Sequence, residues 1–494
     1  MTARIAPARC GLMALALAAA LGGCAVGPDF ARPSAPDADR YTSGPSPTGT
    51  MVADGQAQRF DAAATLSAHW WQAFGSPALD DTVQRALLNN ATLQAAEASL
   101  RQSEDNLRAG DGVFFPRVDT ALSATRARTA PILQGSSARG NLFDVVSLAG
   151  TISYPLDLFG GERRAVEGMS AQVDTQRFES KAAYVTLTAN VVDACIARAG
   201  YLAQVRSTQR LIALERDQLA SVEAQQQAGI AAYADVLTQR SLIAGNESLL
   251  ASLQQKTSQA EHLLALLQGA TPSAATLPDL DLRHLVLPLD LPLSVPSDLV
   301  RQRPDILAAE AQLHAASANI GVATAAMFPS FDLTATYGAA GSGFGSLLAA
   351  GGRFWSIGPA LAAPLFRGGS LWYGRQAAID ADAQQQAVYR QTVLAAFAQV
   401  ADTLAALEHD AQAVAASRES RDTAREALRL LQANFRAGLV AYTQVQLADI
   451  QFQQADIAWL QAVVARYQDT VALFAALGGG WWNAPDATTP VGAK

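Results

Sequence analysis

Residues 161–229 read GERRAVEGMSAQVDTQRFESKAAYVTLTANVVDACIARAGYLAQVRSTQRLIALERDQLASVEAQQQAG. The stretch contains no proline. Its glycines stand only at its start, at Gly168, at Gly200 and at the closing Gly229. Small and apolar residues recur at threes and fours: Ala182, Val185, Val191, Val192, Ile196, then Leu202, Val205, Leu211, Leu219 and Val222. That spacing predicts one uninterrupted helix. About 68 residues at roughly 1.5 Å each span on the order of 100 Å, too long for the core helix of a globular domain. Such a length implies a coiled coil, a helical tube or a solenoid.

Upstream of this helix the periodicity changes from about 3.6 to 2. After Phe114-Phe115-Pro116, Val118, Thr120, Leu122 and Ala124 alternate with Asp119, Ala121, Ser123 and Thr125. Beyond a polar loop, QGSSARGN, the alternation resumes, with Val146, Leu148, Gly150, Ile152 and Tyr154 against Val145, Ser147, Ala149, Thr151 and Ser153. One mainly apolar face and one face of small, mostly polar residues is the pattern of a membrane β-strand; a soluble, half-buried hairpin has the same alternation.

The pattern then recurs. Met327-Phe328-Pro329 closes a helix, Phe331, Leu333, Ala335 and Tyr337 alternate with Asp332, Thr334, Thr336 and Gly338, and a glycine-rich loop leads to Trp355, Ile357, Pro359 and Leu361. FFPRVD (114–119) matches MFPSFD (327–332), NNATLQAAEASL (89–100) matches RQRPDILAAEAQL (301–313), and AGIAAYADVL (228–237) matches AGLVAYTQVQ (437–446). Order and spacing both persist, so the chain is a tandem duplication with a period far beyond that of an ordinary solenoid repeat.

This divides the chain as follows: a leader at 1–23, an extended segment at 24–77, a first repeat at 78–269, a proline-rich crossing at 270–296, a second repeat at 297–477 and a tail at 478–494. Each repeat reads helix, hairpin (116–159 and 329–366), long helix (161–228 and 369–437) and returning helix (231–268 and 441–477). The first helices are expected to run unbroken over about 78–112 and 297–326. Gly229 and Gly438 supply the left-handed residue that lets each long helix stop and turn.

The leader has Arg4 and Arg9 before an apolar run too short for a membrane span, and it ends Leu21-Gly22-Gly23-Cys24. A chain beginning at Cys24 loses both arginines, taking the net charge from −8 to −10. No basic run exists to hold a nucleic acid. The five histidines are scattered, no nucleophile–base pair or metal-ligand spacing is present, and neither a catalytic nor a metal site is expected. Cys195, alone in the long helix, reads as a small buried hydrophobe. Trp70, Trp71, Trp481 and Trp482 are expected in packing or at a membrane interface rather than in a ligand site.

Four strands cannot close a membrane barrel, and open edges are not tolerated in hydrocarbon. Two chains would give eight strands with a filled interior and three would give twelve with room for water, so a channel selects the trimer.

The cysteine box followed by GPDFARP, the segment WWQAFGSPALDD, the LDLFGGERR turn, the RQRPDI helix start and the paired AG-x-x-x-Y tips resemble the outer-membrane efflux lipoproteins of the NodT type, relatives of the TolC channel. The resemblance implies a mainly α fold with membrane β-structure. In it a homotrimer joins a twelve-stranded barrel, four strands per chain, to a long α-helical barrel that crosses the periplasm. It implies lipid on Cys24 (diacylglycerol and an N-acyl chain such as palmitate) and residence in the outer membrane. The partners it implies are a periplasmic adaptor protein and an inner-membrane pump, commonly of the resistance–nodulation–division class. No cofactor is expected. The chain would be a passive exit duct, with a lipid-anchored periplasmic scaffold as the alternative.

By the same resemblance the helix tips carry adaptor contact and gating: Gly229, Tyr233 and Asp235 in the first, Arg436, Gly438, Tyr442, Gln444 and Leu447 in the second. Relatives have constricting carboxylates at the second tip. Here Gln444 and Leu447 stand in those places, and the nearest acid, Asp449, is displaced by two residues. A more apolar gate is expected. Small polar strand residues such as Ser123, Ser147, Thr151 and Thr334 would line the lumen.

Overall fold

The computed structural model describes residues 25–34, 38, 40–42, 44, 47–128, 140–347 and 349–483. The leader, Cys24, most of the QGSSARGN loop and residues 484–494 lie outside the described residues.

In chain order the elements are β1 (Arg59–Asp61), α1 (Pro77–Asn89), α2 (Ala91–Gly110), β2 (Arg117–Arg128), β3 (Leu142–Leu156), α3 (Gly161–Gln227), α4 (Tyr233–Leu267), β4 (Asp290–Pro292), α5 (Pro296–Gln302), α6 (Pro304–Ala325), β5 (Ser330–Gly341), β6 (Arg353–Ala362), α7 (Ser370–Arg436) and α8 (Tyr442–Ala476). The long and returning helices repeat at one offset: Gly161 to Ser370, Gln227 to Arg436, Tyr233 to Tyr442 and Leu267 to Ala476 are each 209 positions. None of the described helices is long and apolar enough to cross a membrane.

The chain gathers into two compact units, and both long helices contribute to each. The first holds the four long strands in one antiparallel sheet of order β2-β3-β5-β6. The register runs straight across it: Asp119 faces Thr151, Thr151 faces Thr336 and Thr336 faces Ser356. Opposite residues share a face in a pleated sheet, so one side carries Asp119, Ser123, Ser147, Thr151, Thr334 and Ser356. There Ser123 Oγ and Ser147 Oγ lie 2.8 Å apart and the Thr151 and Thr336 hydroxyls 3.3 Å apart. The other side carries Val118, Leu122, Leu148, Ile152, Leu333, Trp355, Ile357 and Leu361, all exposed. A strand register that gathers this many exposed apolar side chains on one side belongs to a sheet whose surroundings are not water.

In the same unit the segment just after Cys24 is a strap laid across both repeats. Val26 N–H donates to the Phe159 carbonyl (3.0 Å), the Arg164 guanidinium meets Asp29 (2.6 Å), Phe30 stacks on the His314 ring (4.4 Å between centroids) and Arg32 meets Glu310 (2.7 Å). The strap can lie this close because Gly27 and Gly321 meet backbone to backbone. A Cβ on Gly27 would fall 2.5 Å from the Gly321 Cα.

The second unit is built from helices. The expectation of unbroken first helices is corrected here. The helix expected over 78–112 is interrupted at Asn90, and the one over 297–326 at Arg303. Asn90 is extended (ψ 121°) and its Oδ1 accepts from Leu93 N–H (3.0 Å), capping α2. Arg303 is extended because Pro304 follows it. The extended segment at 24–77 also contains structure: β1 pairs in parallel with β4 of the proline-rich crossing, and Trp70–Phe74 form a 3₁₀ turn. Arg466 of α8 pins this segment, its Nε donating to Gln58 Oε1 (3.0 Å) in a buried site.

Trp70, Trp71 and Trp481 are packing residues. Trp70 and Trp71 are buried, Trp71 Nε1 donates to Asp80 (2.7 Å), and Trp481 Nε1 donates to the Gln302 carbonyl (2.9 Å). Cys195 is buried and free, and burial pushes its thiol pKa up to about 12.

Candidate functional site

Both long helices end in the same way. Gly229 and Gly438 have φ of 74° and 75°, the left-handed region that costs a side chain about 1–2 kcal/mol. Gly229 N–H donates to the Gln226 carbonyl (3.0 Å) and Ile230 N–H to that of Gln225 (2.8 Å). Gly438 and Leu439 do the same to Phe435 (2.9 Å) and Asn434 (2.9 Å). These paired bonds satisfy carbonyls that a helix end otherwise leaves open. The chain reverses within a few residues, and α4 and α8 begin at equivalent tyrosines.

The two tips then diverge. Tyr233 is 58% exposed, whereas Tyr442 turns inward and its hydroxyl lies 3.0 Å from Gln218 Oε1 and 3.3 Å from Gln239 Oε1. Asp235 caps its own helix start, accepting from Ala232 N–H at 3.2 Å. Arg436 ends α7 and, with Leu214, Gln218, Val222, Phe435 and Tyr442, lines a groove of about 340 Å³. Gln444 and Leu447 lie on the exposed side of α8, Leu447 at 62%. The structure therefore brings together Arg436 and Tyr442, and leaves Tyr233, Asp235, Gln444 and Leu447 outside that cluster.

Behind Tyr442 lies a buried polar network whose role the sequence reading missed. Gln446 Nε2 donates to Gln239 Oε1 (2.6 Å), and Gln239 Nε2 donates to the Glu215 carbonyl (3.0 Å). One heptad further along, Gln453 Nε2 donates to Asn246 Oδ1 (3.2 Å), and Asn246 Nδ2 donates to Glu215 Oε1 (2.7 Å). The pairs 239/446 and 246/453 are followed by Leu253 and Leu460, both buried, so α4 and α8 run side by side with polar layers nearest the tips. The signal was present as glutamine and asparagine at seven-residue spacing, but amphipathic counting assigns such residues to the surface.

Asp449, the acid nearest Leu447, is only 3% exposed, and Glu215 is 1% exposed. Burial and then the charge of Glu215 raise the Asp449 carboxyl to about 7. Burial also raises Glu215, against the hydrogen bond from Asn246. Burial, then Asp449 and Glu215, raise the Tyr442 phenol. Among the described residues the arrangement offers no nucleophile with a base. It is a helix-packing centre, placed where the two hairpins meet.

The family model described as outer membrane efflux protein matches residues 82–270 and 295–479. The toluene efflux pump outer membrane protein TtgC of Pseudomonas putida is 29% identical over 478 residues, 95% of this chain and 96% of the relative. The pyoverdine export outer membrane protein OpmQ, also of Pseudomonas putida, is 32% identical over 432 residues, 83% of this chain and 88% of the relative. Among solved structures, the outer-membrane channel OprN superposes with a TM-score of 0.82 at 26% identity, covering 93% of this chain and 100% of that one. The fold is that of the TolC-like channels, with strands and long helices supplied by a tandem repeat. The chain belongs to the outer membrane efflux protein family: it is an outer-membrane channel subunit of an efflux pump, a transport component and not an enzyme.

Proposed function

We propose that three copies assemble into one exit duct, each adding four strands to a twelve-stranded barrel and four helical staves to a periplasmic tube. The observation that carries this reading is the four-stranded sheet, whose edge strands β2 and β6 have no further partner among the described residues and whose apolar face is mostly exposed. Four strands enclose nothing, and open edges in lipid leave backbone groups unsatisfied. Neighbouring copies satisfy them. The polar face, with Ser123, Ser147, Thr151 and Thr334, then lines the lumen.

In this reading the tips at Gly229 and Gly438 meet a periplasmic adaptor, and through it an inner-membrane pump of the resistance–nodulation–division class. Lipid on Cys24 anchors the chain to the outer membrane. The lumen is permissive and cargo is chosen by the pump, as fits similar likeness to relatives named for toluene efflux and for pyoverdine export.

The test is native mass spectrometry of detergent-purified protein together with planar-bilayer recording. Trimers that conduct ions are expected. A soluble, non-conducting monomer after Cys24→Ala would instead support a lipid-anchored scaffold. For the gate, Leu447→Gly is expected to change single-channel conductance, and an unchanged conductance counts against a constriction there.

A further inference from the structure

Glu215 and Asp449 sit in a chamber of three helices with no cation beside them among the described residues. Asp449 of α8 follows Ala448, whose cluster with Val445 and the α7 side chains Leu428 and Leu431 is apolar. From α3 the chamber receives Glu215. From α4 it receives Gln239 and Asn246, which do not titrate, and from α8 the phenol of Tyr442. Among the described residues no arginine, lysine or histidine acts on either carboxyl. Glu215 Oε1 accepts from Asn246, while Glu215 Oε2, also shut off from solvent, has no hydrogen-bond partner among them. A buried carboxylate oxygen without a donor is tolerated as part of a neutral acid and is costly as part of an anion. Two such anions in one chamber would add mutual repulsion.

We propose that Glu215 and Asp449 form a proton-operated latch: while they carry protons, α8 stays seated against α3 and α4 at the tips, and losing those protons to bulk water unseats it. The step breaks only O–H bonds and needs no other reactant. It goes beyond the family assignment, because the carboxyls lie inside one chain rather than on an exposed face of the tips. Its link to gating rests on the reading of the tips as the gate.

The sign follows from the raised carboxyls. The folded seat holds its protons more tightly than an opened one, so the latch is held most firmly near the ordinary carboxylate range, weakens as pH rises from there, and has lost this hold once pH passes about 7. Between the ordinary carboxylate range at about 4 and that value, each carboxyl that gives up its proton on opening makes opening about tenfold more favourable per pH unit, and above it the dependence levels off.

The experiment is hydrogen–deuterium exchange on the full-length protein in detergent from about pH 4.5 to about pH 8.5, corrected for intrinsic exchange. Amides of 442–456 are expected to lose protection between about pH 5 and about pH 7 by about tenfold per unit for one released proton, and to level off above that. Asp449→Asn is expected to keep its acid-side protection to the alkaline end of that range, and Glu215→Gln to flatten the slope. A flat wild-type profile overturns the latch whatever the variants do, and so does an Asp449→Asn profile that follows the wild type. Bilayer recording with the tip-side pH stepped over the same range separates the two readings. Exchange that follows pH without a change in conductance supports the latch and overturns the tips as the gate.

Discussion

Asn90 and Arg303 hold the same post in the two repeats. Each interrupts a helix, and each reaches the last carbonyls of its own repeat's returning helix: Asn90 Nδ2 donates to the Leu267 carbonyl at 2.9 Å, and Arg303 Nη1 to the Ala476 carbonyl at 2.8 Å. One side chain thus serves an end that would otherwise be left with open acceptors. Different chemistry occupies one structural role, an amide in the first repeat and a guanidinium in the second.

Removing either side chain should loosen both helices it joins. Asn90→Ala is expected to cost about 1 kcal/mol, as for a lost helix cap. Arg303→Ala is expected to cost roughly 1.5–3 kcal/mol, because the lost bonds are charge-assisted and Asp305 loses its partner at 2.7 Å. Thermal unfolding followed by circular dichroism, with Arg303→Lys as the intermediate case, checks the order.

The tip glycines should matter through conformation alone. Nothing lies within 4 Å of a Cβ built on Gly229 or Gly438, so alanine meets no clash and pays only for the left-handed backbone. Gly229→Ala and Gly438→Ala are each expected to cost about 1 kcal/mol, with asparagine milder. Hydrogen exchange should rise around the substituted tip and nowhere else. A change spread along α3 or α7 would contradict that.

The two faces of the sheet should respond oppositely to charge. Leu148→Lys places an ammonium on the apolar side near mid-strand and is expected to cost about 2–4 kcal/mol in the membrane, lowering the heat-modifiable oligomer in outer-membrane fractions. Thr151→Lys, on the polar side, forfeits a hydroxyl contact of about 1 kcal/mol. It should still assemble while shifting ion selectivity in bilayers.

Cys195 should be inert in the folded protein. Burial holds its thiol up to about 12, so between about pH 7 and about pH 9 almost no thiolate exists. Maleimide labelling of the native protein at about pH 8 is expected to be at least about a hundredfold slower than in denaturant. A gel shift with a polyethylene-glycol maleimide reads it directly.

Much of this architecture was legible because it rests on local rules. Alternation along Val118–Ala124 and Phe331–Tyr337 reports a pleated strand, and the long proline-free run after Gly161 reports an unbroken helix. The break at Asn90 was legible in principle. NNATLQ (89–94) aligns with QRPDIL (302–307), where Pro304 forbids a helical Arg303, but asparagine alone is only a weak helix breaker. The chamber around Glu215 and Asp449 was not legible, since its members come from three helices and each looks like a surface residue on its own. The tyrosines at 233 and 442 show the same limit: one repeat motif, yet only Tyr442 turns inward, because Gln218 and Gln239 wait for it.

The strap after Cys24 sets an order of events during biogenesis. Asp29 waits for Arg164, 135 positions later, and Arg32 waits for Glu310, 278 positions later. A chain exported amino-end first therefore emerges with this segment untethered, and it is fastened only after the second repeat has followed it. The strap is a late closure, of the long-range kind that slows folding. Until it forms, the strap and the two repeats it crosses remain joined by covalent chain alone.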